Sequence, residues 1–328
     1  MNILATKVRD GMLCMQRCSW EQGFGATALM DAGEENLVVA MAADALLHAE
    51  KDGRLAMVGS DHVITDTGTN GEPMLFAYQC TGELRYWLAA ENLQKYFLQK
   101  APKTPDGILY HFYRTFHEGF TPFQIWADAC FMVPPFLAAV GCVGEAVLQM
   151  EGFFRYLLDQ NTGALFHVYD FGSRRFVRRL LWSIGNGWAL LGLVRTAAAA
   201  QKNGELATAE RLRHMMCSLL KAMLNFQRED GLFHDILDRQ DTFLDGTSAM
   251  MMAGCIYRGV YEGWLNPSYL CRADNVYETM CKKIDNVGII HEVCGSPDFT
   301  HSGTSAEAQA SFLIMDAWRE KIREEQRG

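Results

Sequence analysis

The chain has 328 residues, 49% of them hydrophobic, so folding can bury about three quarters of the surface that an unfolded chain of this size exposes. Charged residues make up 21% and the net charge is −9, which argues against nucleic acid or an anionic membrane as partner. No segment approaches the roughly 20 consecutive apolar residues of a membrane span, and the stretch from Met1 to Gln16, with Lys7, Arg9 and Asp10, shows no export signal.

In chain order, apolar periodicity predicts helices in pairs. Ser19–Met30 and Glu34–Glu50 flank Gly33, which can end the first helix. Met74–Gln79 and Leu84–Leu98 flank Thr81-Gly82. Ala127–Ala139 with Val143–Leu158, Gly187–Ala200 with Leu206–Phe226, and Ser248–Glu262 with Asn275–Ile284 follow. Ser305–Glu325 closes against the start. Strand signals are few, and no linker or charge block divides the chain, so residues 1–328 are expected to form one domain.

The pairs are punctuated by a repeat in which a glycine precedes a short apolar run and a histidine: Gly107 to His111, Gly163 to His167, Gly231 to His234 and Gly288 to His291. The glycines are 56, 68 and 57 residues apart, and a fifth copy without the histidine, at Gly53, lies 54 residues before the first. One helical hairpin is therefore repeated about six times. The period is longer than that of open helical solenoids and the ends are not especially polar, so the expected fold is all-α, a closed (α/α)6 barrel with a ligand cleft at one mouth.

Several junctions between loop and helix combine aromatic with polar residues. Ser, Thr and Asp there serve as N-caps, and capping alone is expected at Asp245-Gly246-Thr247-Ser248 and at Ser302 to Glu307. Trp87 and Trp264 read as filler, whereas Trp20, Trp126, Trp182 and Trp188 sit beside acids, amides or glycine turns and can act as platforms for a sugar ring. Asp128 is an acid within an apolar run, Trp126 to Val133, where desolvation raises its pKa, and it is the first catalytic candidate ahead of an N-cap role. Asp66, in a loop rich in glycine and threonine, reads equally as a partner carboxylate or as a turn-former. His111 and His167 can face the cleft or serve the repeated turn. Arg174, Arg175, Arg178 and Arg179, at roughly helical spacing, read as a solvated or ion-paired face. Ten cysteines without a C-x-x-C pair read as free thiols of the reducing cytoplasm, and no metal or cofactor motif is present.

Trp126-Ala127-Asp128 with Phe131-Met132 and Pro135-Phe136, Leu165-Phe166-His167-Val168-Tyr169-Asp170, and Trp182 with Gly185-Asn186-Gly187-Trp188 resemble the unsaturated glucuronyl and rhamnogalacturonyl hydrolases, glycoside hydrolase families 88 and 105. The likeness runs from Trp20 to Gly303-Thr304-Ser305-Ala306-Glu307-Ala308-Gln309, in the family's order. It implies a glycosidase on an (α/α)6 barrel that removes a Δ4,5-unsaturated uronic acid from the non-reducing end of lyase-generated oligosaccharides by hydrating a vinyl ether. Asp128 would protonate the double bond and then activate water, with Asp66 as the second aspartate. Gln22, His111, Trp126, Met132, His167, Trp182 and Trp188 would bind the sugar, with no metal or cofactor. Ile184 stands where the family commonly has an arginine for the uronate carboxylate, and Arg174 or Arg175 is the expected replacement. Two alternatives stay open: an epimerase or inverting glycosidase on the same barrel, and a sugar-binding relative without activity.

Overall fold

The structure is a computed structural model that describes residues 1–59, 62–115 and 120–327. The chain forms an (α/α)6 barrel, twelve helical layers in two concentric rings. The inner ring runs α2 (Ser19–Asp31), α4 (Gly71–Thr81), α6 with α7 (Ala129–Met132 and Pro134–Ala139), α9 (Ser183–Lys202), α11 (Thr247–Tyr261) and α13 (Ala306–Arg327). Each packs on the next, and α13 packs back on α2 to close the ring. The outer helices are α3 (Glu35–Leu47), α5 (Leu84–Lys95), α8 (Val143–Leu157), α10 (Leu206–Leu224), α12 (Leu270–Cys281) and α1 (Ile3–Met15). The expected pairs are therefore present, and α1, absent from the sequence reading, is the partner that α13 lacked.

The repeat has a local cause. Gly53, Gly107, Gly163, Gly231 and Gly288 all adopt positive φ, between 79° and 109°, where a residue with Cβ is strained. Each donates its N–H to a carbonyl just before it, turning the chain from an outer helix toward the next inner one. Amide side chains on helices clamp three of these turns. Gln149 accepts from Leu109 N–H and donates to Gly107, Gln309 does the same for Ile290 and Gly288, and Asn186 holds both backbone groups of Leu165. Asn186 of the Gly-Asn-Gly-Trp turn is thus a structural clamp.

Three departures from the expected elements are local. The predicted helix 127–139 is two short ones, because Pro134 removes a backbone donor and disfavours helical geometry at Val133, whose φ is −119°. The arginine cluster lies on a hairpin, not a helix. β1 (Gln124–Trp126), β2 (Val168–Asp170) and β3 (Arg175–Arg178) form an antiparallel sheet in that order at the mouth. Residues 65–70, too polar to suggest core, are buried, with Thr67, Thr69 and Asn70 side chains bonded to Leu55, Asp66 and Ser19.

Gly192 shows how the inner ring holds its third member. It lies in mid-α9, where alanine would add helix propensity of about 1 kcal/mol, but a Cβ there would overlap the Cys130 carbonyl. Gly192→Ala should cost a net 1–3 kcal/mol or so from overpacking and lower the melting temperature. The shifted Cys130 turn also carries Asp128, so kcat should fall in the folded fraction.

Candidate active site

All six inner helices start at the same end of the ring, and a cleft opens there with about 490 Å³ of space free of protein. It is lined by Trp20, Asp66, His111, Trp126, Asp128, Met132, Trp182, Trp188, Phe299 and Glu307.

Asp128 immediately precedes α6, yet its side chain makes no cap hydrogen bond. Its Oδ1 is buried and has no partner among the described residues. Burial pushes its pKa up to about 7, against the opposing effect of a backbone N–H. Asp66 opens a short 3-10 turn, Asp66–Asn70, that leads into α4. Burial first, then the nearby charge of Asp128, hold its carboxyl well above the usual range, against a Thr65 hydrogen bond. Gly68 makes this approach feasible, since a Cβ there would overlap the Met132 carbonyl.

His111 lies between the two acids. Its Nε2 is 3.8 Å from Asp66 Oδ1 and its Nδ1 is 3.9 Å from Asp128 Oδ2. The Thr65 hydroxyl is 2.7 Å from Nδ1, and a hydroxyl that donates there leaves the ring proton on Nε2, facing Asp66. Burial, with the His62 ring adding to it, lowers the His111 pKa to about 3, so the ring is neutral. One donor atom from each of Asp66, His111 and Asp128 lies within 4.8 Å of the others, close enough to share a cation. Both carboxyls favour their protonated forms, so a proton competes for the same oxygens, and the set suits proton transfer in a coupled pair.

Aromatic rings form the walls. His111 stacks on Trp126 at 4.7 Å, and His167 stacks on Trp182 at 4.3 Å and meets Trp126 in a T-shaped contact at 4.9 Å. Trp188 packs against Trp20, Phe24 and Phe131. The Trp182 indole N–H donates to Asp235 at 3.0 Å.

Seven of the nine expected site residues line the cleft: Asp66, His111, Trp126, Asp128, Met132, Trp182 and Trp188. His167 is behind the wall, 2% exposed, between Trp126 and Trp182, with neither ring nitrogen partnered among the described residues. Gln22 is elsewhere. It lies two residues from Trp20, a rotation of about 200° on a helix, and so turns toward α3, where its Nε2 donates to the Met41 carbonyl at 3.1 Å and to Asp44 at 2.9 Å. Of the repeated histidines, His234 bonds to the Thr242 carbonyl and His291 to Asp285, both in turns away from the cleft.

Phe299 and Glu307 are not among the residues expected from the sequence, whereas Trp20, expected as a platform for a sugar ring, does line the cleft. Ser305 does cap α13 through Ala308 N–H, as expected, but Glu307 just beyond it reaches the cleft. Burial, then the charges of Asp245, Asp128 and Glu21, raise the Glu307 pKa well above its ordinary value. The recurrence of polar residues at that junction was the available signal. Phe299 lies in a loop with no periodicity to mark it.

Residues 9–311 match the model of Glycosyl Hydrolase Family 88. The chain belongs to this family. Within it, the chain is 29% identical over 202 residues to the unsaturated rhamnogalacturonyl hydrolase YesR of Bacillus subtilis, a match spanning 57% of each protein. The family 88 chain also superposes on solved structures of low identity, which share its fold. A possible member of family 105 from Klebsiella pneumoniae has a TM-score of 0.84 at 17% identity, covering 98% of this chain and 92% of that one. A family 105 glycoside hydrolase from C. acetobutylicum gives 0.80 at 18%, covering 96% and 99%. An unsaturated glucuronyl hydrolase specific for heparin gives 0.72 at 14%, covering 98% and 96%.

Proposed function

We propose that this family 88 protein removes a Δ4,5-unsaturated uronic acid from the non-reducing end of lyase-generated oligosaccharides, as one barrel domain spanning residues 1–328. The observation that carries the reading is Asp128: a buried carboxyl free of capping duty, proton-bound up to about pH 7, in a tryptophan-walled cleft. Its proton goes to C4 of the double bond, leaving an oxocarbenium ion at C5 stabilised by the ring oxygen. The Asp128 carboxylate then takes a proton from the water that adds at C5. The hemiketal opens to a C5 ketone, and the hemiacetal left at C1 expels the remaining oligosaccharide as an alcohol. Asp66 and neutral His111 flank Asp128 and orient the water, while Trp126, Met132, Trp182 and Trp188 hold the ring and His167 backs Trp182.

Charge and spacing support this over the alternatives. An inverting glycosidase needs its carboxyls about 6.5–9.5 Å apart with a water between them, whereas Asp66 and Asp128 bring oxygens within 4.8 Å. An epimerase with facing histidine bases would find, among the described residues, only His111 on this cleft surface. The N-termini of the longer inner helices add partial positive charge at the mouth, which favours an anionic sugar. No described helix is long and apolar enough to cross a membrane, and the ten cysteines are free thiols, which supports action in the reducing cytoplasm.

The test follows the ultraviolet absorbance of the conjugated enol-ether acid when the purified protein meets pectic, glycosaminoglycan and algal unsaturated disaccharides. Loss of absorbance with at least one is expected and identifies the uronide. No loss with any, together with turnover of a saturated oligosaccharide, would refute the reading.

A further inference from the structure

A second cavity opens at the end of the barrel opposite the cleft, where the inner helices finish, with about 1540 Å³ of space free of protein. Its walls come from α2, α4, α7, α9 and α11, and among the residues that line it are Glu72, Arg195, Ala198, Lys202, Arg258 and Glu262. The space is ample for a small organic molecule.

The charges around this cavity are unevenly matched. Arg195 takes both oxygens of Asp31 and both of Glu72, so two of the acids at this end are engaged by one guanidinium. Arg258, in the last turn of α11, is left with much less. Its side chain is 13% exposed, its Nε is buried without a hydrogen-bond partner, and no hydrogen bond ties its other nitrogens to a described residue. The nearest acid is Glu262, one turn on, at 3.9 Å. The guanidinium instead stands over the Trp318 ring at 4.7 Å, and the same ring carries Lys321 Nζ at 3.9 Å. An aromatic face offsets only part of what a buried cation loses in hydration. Burial, then the like charge of Arg195, lowers the Arg258 pKa, and the fields of Asp31, Glu72 and Glu262 do not make up the difference. Burial lowers that of Lys321 too, with both arginines adding to it against Asp31 and Glu262. A desolvated cation without a close counter-charge therefore borders a cavity large enough to admit one.

We propose that this cavity is a second, non-catalytic site that binds a small oxyanion, a carboxylate or phosphate group carried by a small molecule, with Arg258 as its anchor and Lys202 at its rim. The planar guanidinium offers parallel N–H donors that match either group, an arrangement that lysine does not reproduce. The C-terminal ends of the inner helices would by themselves attract a cation, so the anion's place depends on Arg258. The inference stands apart from the hydrolase reading, since it uses none of the residues of the cleft.

The test reads the melting temperature with inorganic phosphate or malonate in the low-millimolar range, where exclusion of salts from the protein surface has little effect, against sodium chloride at equal ionic strength. At least one of the two anions should raise it saturably, by roughly 5 °C at a hundredfold excess over Kd, and by as much in Asp128→Asn as in the wild type. A response to phosphate alone identifies a phosphorylated ligand and a response to malonate alone a carboxylate, and either supports the site. Arg258→Gln should abolish the shift and Arg258→Lys should keep part of it. Ala198→Glu sets a negative charge on the cavity wall while leaving Arg258 in place, and it should block binding as well, so the test holds even where Arg258→Gln fails to fold. No saturable shift with either anion, a shift that depends on Asp128, or one that survives in Ala198→Glu would overturn the assignment.

Discussion

Asp128→Asn should abolish turnover, by roughly a thousandfold or more in kcat, and at the same time stabilise the protein at pH 8. Both effects come from one fact. Burial holds the Asp128 carboxyl at about pKa 7, far above its ordinary value of 3.8. In the wild-type enzyme the proton needed at C4 is present below about pH 7, so kcat/KM should fall as pH rises through that value. The raised pKa also sets the sign of the stability effect. The folded state binds this proton more tightly than the unfolded chain, so the favourable contribution is complete below about pH 4 and is lost as pH rises toward 7. Above pH 7 the buried charge penalises folding by up to about 4 kcal/mol. An asparagine has the same shape and no charge to bury. The difference in melting temperature between variant and wild type should therefore be small near pH 4 and widen to a plateau above pH 7. A variant that melts with the wild type at pH 8 and retains activity would remove Asp128 from the mechanism.

What could be read in advance follows from how local the cause was. The turn glycines carry their own geometry, so the five copies from Gly53 to Gly288 revealed the hairpin period before any tertiary contact was known, and all five adopt positive φ. Asp128 was legible because an acid inside an apolar run loses its hydration when the run is buried, and a carboxyl so placed holds its proton. Gln22 was not, because the helix face that meets the cleft depends on where α2 sits in the ring; its rotation relative to Trp20 became informative only once Trp20 was placed. Glu307 and Phe299 come to the cleft when α13 closes against α2, a contact between residues almost 300 positions apart. Arg174 and Arg175, expected to take over from the arginine replaced by Ile184, are instead exposed at the hairpin turn, a place set by the pairing of β2 with β3. The break at Val133, by contrast, has a local cause in Pro134-Pro135 that outweighs the apolar periodicity around it.

Arg195→Met should cost about 3–5 kcal/mol of stability at pH 7, a penalty typical of breaking a buried ion pair, although it is at the end of the barrel away from the cleft. Arg195, on α9, donates to both oxygens of Asp31 on α2 at 3.0 and 2.9 Å, and to Glu72 on α4 at 2.9 and 3.2 Å. Trp318 on α13 donates to the same Asp31 at 2.9 Å. One guanidinium thus joins three inner helices, and its acceptor reaches a fourth. Burial alone would raise the Asp31 pKa, but Arg195, with Arg258, Lys321 and the Trp318 hydrogen bond, outweighs it and holds the carboxyl below its ordinary value. In the wild type this contribution is therefore present above the ordinary carboxylate pKa and lost as pH falls through the depressed one. Methionine fills the volume but leaves Asp31 buried with its main counter-charge gone, so its pKa rises and the linkage changes sign. The deficit of the variant should accordingly be largest near neutral pH and shrink on acidification, as Asp31 takes up a proton. Adding Asp31→Asn to Arg195→Met removes the orphaned charge and should recover part of the loss, a non-additivity that urea melts of the two single variants and the double would read directly. Melts that add without coupling, or an Arg195→Met deficit independent of pH, would mean that packing around Arg195 holds the helices together and that its charge does not.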